Sequence, residues 1–238
     1  MKTIIKFFTV FTLLNVAAQQ SVMESQYAAY LMSSKSMWEK SVSLAAEKHG
    51  KESFERALAL YGLLSNTMAT QDEETFDTYK DETIDLLKKL VEDNPDAGEP
   101  KALLSSTYGL AMAYSPMKGM FLGMKSTSLI EEAIEQQPGS ALVQKLWAGS
   151  KLYTPEMFGG DPEEAVISFA KATDLYSKDP DRNWLYLDAL MGLAMAYQKT
   201  DAAQKAQSTL EKAVAIEPNF YWAKAELSKM MGASAQDQ

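Results

Sequence analysis

The chain has 238 residues, 46% hydrophobic and 23% charged, which is enough apolar material for the core of one or two domains and unlike a disordered or collagen-like chain. Its net charge of −9 makes nucleic acid and anionic membrane surfaces poor partners. It has no cysteine, so disulfides, thiolate metal sites and cysteine nucleophiles are excluded.

Residues 1–18 read as a signal peptide. Lys2 and Lys6 give a positive start, and an apolar run follows from Phe7 to Val16, interrupted by Thr9, Thr12 and Asn15. Val16, Ala17 and Ala18 suit a signal peptidase, so cleavage is expected after Ala18. The run is short for a membrane span, which needs about 20 apolar residues, and no later segment qualifies. Cleavage removes two lysines and no acid, taking the net charge from −9 to −11. No cysteine is available to carry a lipid. The expected destination is periplasmic or secreted, and an oxidising compartment without disulfides fits a bacterial periplasm.

Residues 19–52 form an N-terminal helical segment. Within it, 22–49 read as one or two helices with Trp38, Val42 and Ala45 on the apolar face and Gly50 as the stop. His49 is the only histidine and would serve a Ser-His-Asp arrangement. Its place before Gly50 is explained by a helix end, where a cation favours the dipole.

Residues 53–231 repeat. GLAMAY occurs at 109–114 and 192–197, each followed by an apolar-periodic segment closing in proline. Ala133, Ala172 and Ala213 occupy one slot of that second segment. Ile130, Phe169 and Leu210 come three residues earlier, and Ser126, Ala165 and Ala206 seven earlier. A weaker copy places Leu90, Leu87 and Thr83 there. Small residues at fixed slots let antiparallel helices approach, and a larger residue one turn away fills the gap. Tyr114, Tyr153 and Tyr197 mark the ends of the first helices, with Tyr61 as their counterpart. Tyr114 to Ala133 and Tyr153 to Ala172 span 19 residues but Tyr197 to Ala213 spans 16, so two turns carry a three-residue insertion. All prolines fall at boundaries or helix starts, and no stretch alternates as a strand does. A final helix from about Phe220 to Met231 caps the array, and 232–238 read as a disordered polar tail.

Residues 187–220 resemble a tetratricopeptide repeat, through Leu190, Leu193, Ala194, Tyr197, Ala206, Leu210, Ala213 and Pro218. The resemblance implies an all-α fold, a right-handed α-solenoid of antiparallel helix pairs. The closing prolines are 43, 42 and 38 residues apart, longer than the standard repeat of about 34, so HEAT-like helical repeats are the alternative. Residues 157–172, MFGGDPEEAVISFAKA, are similar to the GGD-then-helix signature of the periplasmic T-component family of TRAP transporters. That likeness implies an accessory that binds or passes a small organic ligand.

Gly159-Gly160-Asp161-Pro162-Glu163-Glu164 reads as a turn and helix start, with Asp161 as cap. An anion site there would meet three carboxylates. Met117, Met120 and Met124, with Phe121 and Leu122, read first as an inserted turn packing on the repeats, then as a partner contact, and last as a copper site. In tetratricopeptide arrays the first helix of each pair lines the groove. The tyrosine register therefore implies a row of Tyr108, Trp147 and Met191, then Met112, Lys151 and Met195, flanked by Gln144, Asp188 and Gln198. Such a stripe suits a peptide helix or a flat apolar ligand, and equally suits burial between helices. No catalytic residue, cofactor or metal is expected, there is no Gly-rich phosphate loop, and the chain reads as a protein-interaction scaffold rather than an enzyme.

Overall fold

Every element of the described residues, 22–179 and 183–236, is helix or turn. The computed structural model contains α1 (22–31), α2 (Lys35–His49), α3 (Phe54–Thr70), α4 (Glu73–Asp93), α5 (Gly98–Tyr114), α6 (Gly119–Gln136), α7 (Ala141–Tyr153), α8 (Pro162–Tyr176), α9 (Trp184–Lys199), α10 (Ala203–Ile216) and α11 (Tyr221–Gln236). The expected signal peptide lies outside the described residues, as do Pro180 and the last two residues of the tail. α11 runs to Gln236, past the end expected at Met231. The chain forms two compact units, one up to Leu86 and one from Leu87.

In the first unit the 22–49 segment is two helices, with Trp38, Val42 and Ala45 buried as the apolar spacing predicts. Gly50 ends α2 at φ 99°, a value that favours glycine, and its N–H bonds the Ala46 carbonyl. His49 Nδ1 lies 3.9 Å from Glu55. The Trp38 indole lies against bare backbone at Gly62, where a Cβ would overlap the ring. Ser53 caps α3 by accepting from the Arg56 N–H.

Asp72 caps α4. It accepts from the Thr75 N–H at 3.0 Å and the Thr75 hydroxyl at 2.6 Å, and Lys35 lies 3.7 Å away. The Thr75 side-chain bond, then its backbone bond, hold the Asp72 carboxyl below its ordinary 3.8. A depressed carboxylate stabilises the fold above its unfolded value and loses that contribution as pH falls through the folded one. Asp72→Asn is thus expected to lower stability at neutral pH. The gap from wild type should close in urea titrations as pH drops below 3.8. A gap of constant size across that window would show that the charge of Asp72 is not what matters.

The second unit is built from the pairs α5–α6, α7–α8 and α9–α10, with each first helix also packed on the next and α11 on α10. The second-helix slots are as the repeat predicts. Ala133, Ala172, Ala213, Ile130, Phe169, Leu210, Ala165 and Ala206 are buried. Ser126 stands in the remaining slot, half-buried, and its hydroxyl meets that of Ser105 on α5 at 2.9 Å. In the weaker copy Thr83 and Leu87 are buried and Leu90 half-buried. Around Phe169 the core holds Ala148, Leu152, Ala165, Leu193 and Ala196. Two buried lysines are neutralised: Lys145 by Asp188 at 2.5 Å and Lys101 by Glu132 at 2.7 Å. The Lys101 and Ser128 hydrogen bonds hold the Glu132 carboxyl below its ordinary value.

The two inserted turns each form a single 3-10 turn, Pro116–Lys118 and Glu156–Phe158. The turn after α9 lacks the insertion and reverses through Asp201 at φ 56°. The tyrosine register needs correction. The helix caps Ala97, Ser140 and Asn183 are evenly spaced, 43 residues apart, so the helix starts keep register. The ends do not, because α7 stops early and its 3-10 turn takes over. Tyr114 and Tyr153 are last residues, Tyr197 lies before the end of α9, and Tyr61 is in the middle of α3. The tyrosines therefore do not mark one slot.

Candidate functional site

The residues of the expected groove row lie on α5, α7 and α9, and the structure divides them. Tyr108, Gln144 and Met191 are 6%, 4% and 0% exposed, which makes them interior packing and leaves no side-chain surface for a partner. Gln144 donates its side-chain N–H to the Pro138 carbonyl at 2.7 Å, tying α7 to the turn before it. Asp188 is half-buried and faces Lys145, whose ammonium lies 5.9 Å from the Trp184 ring centre. These groups hold first helices together.

Trp147 and Lys151 form a half-buried cluster with the GGD turn. The Trp147 indole N–H donates to Glu164 at 3.1 Å, and the Lys151 ammonium stands 4.5 Å over the Trp147 ring. The same ammonium donates to the Gly159 carbonyl at 3.1 Å. In the turn, Gly159 has φ 96° and a Cβ on Gly160 would strike the Thr154 carbonyl oxygen. Asp161 accepts from the Glu163 and Glu164 N–H groups, both at 3.0 Å. Every residue of the motif is used in reversing the chain and starting α8. The helix end that would take an anion is already filled by a carboxylate.

Met195 and Gln198 are brought together at the far end of α9. With Leu152, Tyr153 and Lys199 they line an open depression of about 360 Å³ between the ends of α7 and α9. The Tyr153 hydroxyl points to the Met195 sulfur at 3.6 Å, and Lys199 donates to the Leu152 carbonyl at 2.9 Å. Met195 packs underneath on the Phe169 core, so the floor of the depression is fixed. Met112 is half-buried on α5 and lies apart from this group. Sequence reasoning misses Leu152, Tyr153 and Lys199. In the sequence Tyr153 is a repeat marker, whereas a tyrosine at the last position of a shortened helix is left largely exposed.

Among the described residues no three His, Asp or Glu side chains are grouped as a metal site, and no helix is long and apolar enough to cross a membrane. The architecture is an array of antiparallel helix pairs joined by short turns. Residues 187–220 match the tetratricopeptide repeat family. A thermophilic tetratricopeptide protein of Thermus thermophilus is similar in structure, with a TM-score of 0.57 at 15% identity over 89% of this chain and 98% of that one. YrrB, a tetratricopeptide protein with an unusual peptide-binding site, gives 0.43 at 16% identity over 82% of each chain. No curated protein matches in sequence. The Thermus likeness shows a tetratricopeptide-type helical fold.

Proposed function

We propose that the protein is an exported tetratricopeptide-type scaffold that holds a protein or peptide partner against the ends of α7 and α9. The observation that carries this reading is the depression of Tyr153, Met195, Gln198, Leu152 and Lys199. It combines an aromatic ring, a deformable thioether, an amide and a cation over a rigid floor, which suits an apolar anchor side chain with polar neighbours. The GGD segment that suggests a transport accessory is used up in capping α8, so a protein partner is favoured over a small organic ligand. Export rests on the signal-like residues 1–18, and N-terminal sequencing of the exported chain should begin at Gln19.

The binding test places a photo-crosslinking side chain at Gln198 and identifies what it captures in the living cell. Tyr153→Ala and Met195→Ala should each weaken the recovered complex about ten- to a hundredfold, the range for anchor residues of an interface. Equal affinity in both variants would remove the depression from consideration.

A further inference from the structure

The sequence predicts packing for the first inserted turn, yet three of its apolar side chains face outward. Met117, Phe121 and Met124 are 88%, 73% and 79% exposed. Phe121 and Met124 lie three residues apart on one face of α6, Met117 stands in the 3-10 turn just before it, and Lys125 is exposed beside them. Farther along α6 the exposed charged residues are Glu131, Glu132 and Glu135. Of these, Glu135 in the last turn runs against the helix dipole, which prefers bases there. From Pro100 to Ile130 the sequence carries Lys101, Lys118 and Lys125 and no acid, in a chain of net charge −9. Lys101 is occupied by Glu132, which leaves Lys118 of the turn and Lys125, exposed on α6, as the remaining cations of this stretch.

The next inserted turn repeats the apolar part. Met157 and Phe158 are exposed there. Because α5 and α7 are both first helices of adjacent pairs, their following turns lie on one edge of the unit. Glu156 and Asp161 flank the second turn, so it supplies apolar contact only.

We propose that this edge seats on a lipid surface, with Met117, Phe121 and Met124 entering the interface of a bilayer containing anionic lipid and Met157 and Phe158 touching beside them. The apolar groups sit at the tips of two separate turns and line no hollow. A bilayer interface accepts such tips without matching their shape, whereas a protein partner needs a complementary surface. The overall negative charge opposes approach, but ions screen it over about 8 Å at physiological strength, leaving the contact to the local lysines. Binding of this kind is reversible. The depression at the ends of α7 and α9 opens at the same edge, so a partner held there would be close to the membrane.

The test is co-sedimentation of the full chain with vesicles of phosphatidylcholine, with and without phosphatidylglycerol. Wild type should bind best with phosphatidylglycerol. Met117→Ser, Phe121→Ser and Met124→Ser together should reduce partitioning at least about tenfold, as expected for removing that much buried apolar surface. Lys125→Glu should abolish the preference for phosphatidylglycerol. All four positions are exposed, and circular dichroism will show whether the variants keep their helices. Tyr153→Ala and Met195→Ala should leave vesicle binding unchanged, which separates this seat from the partner site. Equal partitioning of wild type and the triple variant would overturn the proposal. So would a wild type that ignores vesicles while its turn, but not the Ser variant, crosslinks to a protein.

Discussion

Phe169→Ala is expected to destabilise the second unit by about 3–5 kcal/mol, the usual range for removing a buried aromatic ring. Several features place it at the upper end. The ring is buried, and its neighbours Ala148, Ala165 and Ala196 are small and on helix backbones. The alanines cannot swing into a void, so relaxation is left to Leu152 and Leu193 and the cavity closes only in part. The ring also bridges pairs: it sits on α8, packs on α7, and covers Gly192 of α9. Its loss loosens α8 from both neighbours. Urea unfolding followed by circular dichroism measures the effect. Ile167→Ala is the control, two residues away on the same helix but exposed, and should stay within about 0.5 kcal/mol of wild type. If both substitutions cost the same, the placement of the core at the Phe169 slot is wrong.

That slot is legible in the sequence because it obeys a rule with few exceptions. A second helix in such an array must offer small residues where its partner comes closest and one large residue a turn away, and Ala172, Ala165 and Phe169 do so. The extra length between the helices of a pair is legible in part: 3-10 turns form after α5 and α7 where the spacing calls for added residues, but the count of three is not, because the tyrosines it rests on do not mark one slot. The groove is less legible. The resemblance assigns first-helix residues to an open face, but the face that a side chain takes depends on what covers it. Met191 and Gln144 lie at positions that helical spacing alone allows to be either open or covered, and here they are covered. At the exposed turn around Met117, composition misleads. Methionine and phenylalanine are usually interior, and only the chain path shows that these stand outside.

The two GLAMAY copies lead to the other large prediction, because the same six letters should respond to one substitution with opposite signs. Gly192 is buried under Phe169, and a Cβ built there would overlap the ring. The ring is hemmed in by the α7 and α9 alanines, so it cannot move aside without opening the core. Gly192→Ala is therefore expected to cost about 1–3 kcal/mol, the range for overpacking. Gly109 is also inside a helix, but a Cβ there meets nothing within 4 Å. Gly109→Ala adds no clash and removes backbone freedom from the unfolded chain, so it should stabilise by about 0.5–1 kcal/mol. Trimming the ring separates clash from propensity. In a Phe169→Leu background the penalty of Gly192→Ala should shrink, and the double-mutant cycle should show coupling of at least about 0.5 kcal/mol. Gly109→Ala should show none with Phe169→Leu. Equal effects at both glycines would mean that the copies are packed alike after all, and that the register set by the helix starts at Gly98, Ala141 and Trp184 is not the one that governs packing.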